Sequence, residues 1–358
     1  MSEPRLTPIH MDRGDDGLDT PAPVRERAAW ALENGMTHYN DPRGIAKLRE
    51  AVASRALARH GLVLDAEDEV RITAGASSAL FHTLLALREH SSRLIVPRPG
   101  WSRYTEMARA LGYPVSFYRV TPEAGPKLDG LPDAVEAATI VINTPHNPTG
   151  SVFTTDNVRV LEDAVARGAV RWIVSDETYC DLVYDDARHL SPAASAALRE
   201  RTVRVISLSK SHRMSGWRVG ALMADRTAMP ALEAGTLIVN AASTLAQVAA
   251  VEALAGDHDR AIRAFCRENL ESAIEVLGTH GAKRPAAGIY LWLNIGATGL
   301  EPPAFCDGLR ERYGVHLYPS DGFGAAGEPY VRLCFARDRD VLADGLGRVA
   351  RFLNEVAR

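Results

Sequence analysis

Five short runs of β-branched and aliphatic residues recur along this 358-residue chain, each ending at glycine, proline or a polar residue. They are Val70-Arg-Ile-Thr73, Arg93-Leu-Ile-Val96, Thr139-Ile-Val-Ile-Asn143, Val170-Arg-Trp-Ile-Val-Ser-Asp176 and the run that enters Val205-Ile-Ser-Leu-Ser-Lys210. Continuous apolar runs of this length read as strands buried on both faces, as in a mostly parallel sheet. The stretches between them carry helical periodicity. An α/β fold is predicted, with ligand-binding groups where the strands end.

The residues at those ends share a chemistry. Lys210 stands just past a buried strand, where poor solvation favours a neutral amine able to attack a carbonyl. Ser207 and Ser209 put hydroxyls beside it, and Arg218 brings a planar donor fork that suits phosphate. Together they point to a phosphorylated aldehyde. Gly75-Ala-Ser77 turns a strand pattern into a helix near Ser77, and the free N–H groups of a helix start, lined by small residues, make an anion site. Trp101, in a loop after a strand, is placed to cover a flat heteroaromatic ring. Asp176 ends another apolar strand, where its carboxylate can pair with a cationic group of a bound ligand. Arg332 lies within the apolar run of Tyr330-Val-Arg-Leu-Cys-Phe-Ala336, where a charge needs a partner such as a substrate carboxylate.

Ser207-Leu-Ser-Lys210 followed by Gly216-Trp-Arg-Val-Gly220 resembles the cofactor-lysine segment of the class I/II aminotransferases, pyridoxal-phosphate enzymes of fold type I. His146-Asn-Pro-Thr-Gly150, Pro99-Gly-Trp-Ser-Arg-Tyr104 and Tyr330-Val-Arg-Leu-Cys-Phe-Ala336 are similar to further motifs of that family, in the family's order. The resemblance runs from about Gly14 to Ala336. It implies a pyridoxal 5′-phosphate cofactor held as a Schiff base on Lys210, with Asn147 and Tyr179 on its phenolic oxygen and Asn147 also on the substrate carboxylate. It places Gly14 where the backbone approaches the substrate, although Asp16 and Gly17 depart from the family's pattern there. It implies too that Tyr39 crosses a homodimer interface to the neighbour's phosphate, where Ser243 and Thr244 can also reach, and that Tyr290 lies near the cleft.

The expected architecture is a large α/β cofactor domain over residues 40–258 and a smaller α+β domain from 1–39 and 259–358. The expected reaction is transfer of an amino group between an L-amino acid and a 2-oxo acid. A lyase, cyclase or oxidase using the same site is the alternative, and a non-catalytic ligand sensor a third reading, against which stands the lack of any preceding DNA-binding segment. A net charge of -4 without long basic runs argues against a nucleic-acid partner. Cys180, Cys266, Cys306 and Cys334 form no C-x-x-C pair, so neither a metal nor a disulfide framework is indicated. With no apolar signal core and no membrane-length run, a cytoplasmic protein is expected. Asp15, Asp16 and Asp321 point to a polar or cationic substrate side chain.

Overall fold

The computed structural model describes residues 7–15, 17–128, 131, 137–236 and 242–357. Strands β1 (Val70–Thr73), β2 (Leu94–Arg98), β3 (Val115–Thr121), β4 (Gly125–Lys127), β5 (Ala138–Asn143), β6 (Val170–Asp176), β7 (Thr202–Ser207) and β8 (Gly220–Ala224) form one sheet. Their order is β1-β8-β7-β6-β5-β2-β3-β4. The run β3-β2-β5-β6-β7 is parallel throughout, while β8 lies antiparallel to both its neighbours and β4 antiparallel to β3. The five strands read in the sequence are all present. Strand β3 gave no such signal because only Tyr118 and Val120 along it are buried.

Successive side chains of a strand point to opposite faces, and each face here has its own core. Val96, Val141, Val174 and Val203 pack with Leu80, Leu84 and Leu87 from the helix Ala76–Leu87. Ile95, Ile140, Ile142 and Ile173 pack with Leu161 and Ala164 from the helix Thr155–Ala166. Burial on both faces explains why β5 and β6 carry so few polar residues.

A second sheet, β9 (Tyr290–Asn294), β10 (Tyr318–Pro319) and β11 (Tyr330–Cys334), is antiparallel in the order β9-β11-β10. Leu270, Phe305, Leu346 and Phe352, from three helices, join Leu291, Val331 and Leu333 in its core. Ile9–His10 pairs in parallel with Val315–His316, and this short ladder leads residues 11–15 toward the large sheet. Among the described residues no helix is long and apolar enough to cross a membrane.

Directly after Asp176 the chain buries Glu177 completely, paired with Arg204 and His189 and accepting from the Ser175 and Ser191 hydroxyls. Burial raises the Glu177 pKa, but Arg204, His189 and Ser191 outweigh it and hold the carboxyl well below the ordinary range. Breaking such a pair leaves an uncompensated buried cation. Glu177→Ala is therefore expected to lower stability by about 3–5 kcal/mol, measurable by denaturant unfolding. An unchanged unfolding midpoint would show that Arg204 finds another partner.

Candidate active site

The parallel strands deliver the candidate residues side by side. Asn143 and Asp176 are register partners at the ends of β5 and β6, and Asp176 pairs with Val205 of β7, two residues before Ser207. The Asn143 side chain donates to the Asp176 carbonyl at 3.1 Å and accepts from the Asn147 N–H at 2.8 Å, so it ties the loop after β5 to the end of β6. Ser207 caps the short helix Leu208–Ser211 by accepting from the Ser209 N–H at 3.1 Å. Lys210 follows on that turn.

One cleft is lined by Gly14, Ala76, Ser77, Trp101, Asn147, Asp176, Tyr179, Ser207, Ser209, Lys210, Arg218 and Arg332. Gly75 sits at its wall as the N-cap of the helix Ala76–Leu87, with φ 82° and no capping side chain. A Cβ on Gly75 would lie 2.6 Å from Arg218 Nη2, so the missing side chain is what lets the guanidinium approach the open helix N-terminus. Lys210 is half-buried rather than enclosed, and its Nζ donates to the Gly14 carbonyl.

Among the described residues, two buried charges of opposite sign in the cleft lack counter-ions. Asp176 is 4% exposed and accepts from Tyr104 Oη at 2.6 Å and from Thr178 Oγ1 at 2.7 Å. Burial raises its pKa, with these hydroxyls pulling the other way. Arg332, 8% exposed, donates to Asn147 Oδ1 at 3.1 Å and to the Asp12 carbonyl at 2.6 Å. Among the described residues, no cation lies within ion-pair distance of Asp176 and no carboxylate within that distance of Arg332. A buried charge in this state gains most from a ligand of opposite sign.

Not every candidate residue lines the cleft. Tyr39 is 94% exposed and lies outside the cleft, on a surface shared with Ser243 and Thr244. Thr244 donates to the His38 carbonyl at 3.0 Å and accepts from Asn40 at 2.7 Å, which ties those two segments together. Ser243 precedes the helix Thr244–Ala255 without capping it through its side chain. Asp15 lines the cleft, Asp321 sits exposed on a turn away from it, and Asp16 lies outside the described residues. Tyr104 and Thr178, the two donors to Asp176, were not assigned from the sequence. Tyr104 was visible as the last residue of the Trp101 motif, but nothing in that motif says where its hydroxyl points.

The chain belongs to the class I and II aminotransferases, a family whose model matches residues 12–349, and it is an aminotransferase with the fold type I architecture. It is 33% identical to an aspartate aminotransferase of Thermotoga maritima over 97% of this chain and 91% of that protein. To an arginine–pyruvate transaminase of Pseudomonas aeruginosa it is 32% identical, over 94% of this chain and 88% of the relative. The solved aromatic aminotransferase of Pyrococcus horikoshii superposes with a TM-score of 0.90 at 28% identity, covering 97% of this chain and 96% of the other. Members of the family use pyridoxal phosphate.

Proposed function

We propose that the cleft holds pyridoxal 5′-phosphate on Lys210 and that the chain moves an amino group between an L-amino acid and a 2-oxo acid. The observation that carries this is the pair of unmatched buried charges, Asp176 and Arg332, in the cleft that also contains Lys210. When bound, the cofactor supplies an aldehyde that takes up the amino group and a cationic ring that draws electrons from the bond broken at Cα.

The chain's own residues account for the rest. Asp176 would be the counter-ion for a protonated ring nitrogen, and Trp101, which lines the same cleft, would cover the ring. Asn147 and Tyr179 serve the phenolic oxygen. The helix start at Gly75, Ala76 and Ser77, with Ser207, Ser209 and Arg218, forms a cradle for a dianionic phosphate. Arg332 and Asn147 grip the substrate carboxylate and so fix the direction in which Cα is presented. Lys210, once freed, removes the Cα proton and returns it to the cofactor side as base and then acid.

Holoenzyme given an amino-acid donor and no oxo-acid acceptor is expected to release one equivalent of oxo acid per site and stop. Continued product release without an acceptor would favour a lyase or oxidase.

A homodimer accompanies this reading. Support comes from Tyr39 and Thr244, which neighbour each other on one exposed surface, as residues serving a partner's phosphate need to. The separate cores of the two sheets support a division into a larger and a smaller unit near residue 258, while the helix Ala22–Glu33, ahead of residue 40, packs on the larger unit through Val24. Four free, buried cysteines fit a reducing, cytoplasmic setting.

The substrate side chain meets Asp15, which accepts from Ser215 Oγ at 3.0 Å at the cleft wall. A cationic or polar amino donor suits it, and the arginine–pyruvate transaminase among the relatives supports that choice. Asp15→Asn is expected to lower the ratio of kcat/KM for basic over neutral donors by a factor of about two to five, the scale of an exposed ion pair. An unchanged ratio would remove Asp15 from the specificity.

A further inference from the structure

Tyr290, at the start of β9, adjoins three cleft residues, Tyr179, Arg332 and Gly14. Its hydroxyl lies 3.2 Å from the Tyr179 hydroxyl. Its ring lies 4.1 Å from the Arg332 guanidinium carbon. It also fills the space beside Gly14, where a Cβ would come within 2.0 Å of its oxygen, and Gly14 is the residue whose carbonyl accepts from Lys210. Tyr290 is 4% exposed, so these contacts fix it firmly. The β9–β11 register explains the placing: Tyr290 is paired with Cys334 and Trp292 with Arg332, which puts Tyr290 on the face that carries the arginine.

We infer that Tyr290 is a positioning residue: its hydroxyl donates to Tyr179, leaving the Tyr179 proton free for the cleft, and its ring braces Arg332 for the carboxylate. Two hydroxyls share two protons here. Among the described residues, neither oxygen has another hydrogen-bond partner. If Tyr290 supplies the bridging proton, Tyr179 keeps its own for an anionic oxygen in the cleft, and accepting a bond makes it a stronger donor. The ring acts separately, since a guanidinium over an aromatic face is held by the ring quadrupole and needs no hydroxyl for it.

The inference rests on the proposed cofactor site, and the test separates the two. Pyridoxal-loaded wild-type protein is expected to show a visible band that titrates with pH, reporting the proton shared between the Lys210 nitrogen and the cofactor's phenolic oxygen. Tyr290→Phe should raise the midpoint of that titration by about half to one pH unit, the size of one neutral hydrogen bond. KM for the amino donor should stay near the wild-type value. Tyr290→Leu should shift the midpoint equally and in addition raise KM by about two- to tenfold, through loss of the ring against Arg332. In a Tyr179→Phe background, Tyr290→Phe should have no further effect on the midpoint.

A midpoint unmoved by Tyr290→Phe, or a shift that persists without the Tyr179 hydroxyl, would overturn the role of Tyr290 and leave the cofactor site standing. A wild-type protein with no titrating band would overturn both.

Discussion

Lys210→Ala protein is expected to fold normally and to lose transamination by at least about 10⁴-fold, because both the covalent hold on the cofactor and the group that moves the Cα proton are removed together. The fold should survive because, among the described residues, the lysine's side chain hydrogen-bonds only the Gly14 carbonyl, at the surface of a cleft and outside the hydrophobic cores. A small primary amine added to the variant should restore part of the rate, since the missing function is a base of that chemistry. Single-turnover measurement of oxo-acid release, with and without the added amine, checks this directly. Turnover that stays within tenfold of wild type would move the chemistry to another residue.

Asp176→Asn is the second large effect. The substitution keeps the shape at the end of β6 but removes the buried carboxylate proposed to face the ring nitrogen. Burial already works against charge at this position, so the carboxylate is kept by the Tyr104 and Thr178 hydroxyls and would be kept more firmly by a cation. An amide in its place has nothing to offer a protonated ring. The rate of Cα proton removal is expected to fall about 10³-fold, on the scale of losing one preorganised electrostatic partner, while KM changes little. Tyr104 would then face an amide group, and thermal unfolding of the variant reads that cost apart from the catalytic one. A kcat within a few-fold of wild type would mean that no cation sits against Asp176.

Much of the site could be read before the structure because strand ends are local. Asn147, Asp176 and Lys210 each follow a continuous apolar run, and parallel neighbours in register bring such ends together without further information. Arg332 was legible for a different reason: a charge within an apolar strand must be answered, and among the described residues no carboxylate answers it. The hydroxyls of Tyr104 and Tyr290 were not legible in the same way. Their contacts span 72 and 111 residues, one within the unit of the large sheet and one reaching from the second sheet to the segment after β6, and no local periodicity encodes either. Gly14 was read as a backbone approach to substrate, and the structure adds that its missing side chain makes room for the Tyr290 hydroxyl. A strand end says where the Lys210 side chain begins and not how far the cleft opens above it, and the residue is half-buried.

The proposed attachment of the cofactor is tested most directly by reducing the pyridoxal-loaded protein with borohydride and locating the modified lysine by peptide mass. The chain has only four lysines, Lys47, Lys127, Lys210 and Lys283, so the assignment is unambiguous. The expected result is loss of the visible band and a phosphopyridoxyl mass on the peptide containing Lys210 alone. An unmodified Lys210 peptide, or label on Lys47, Lys127 or Lys283 in its place, would contradict the account.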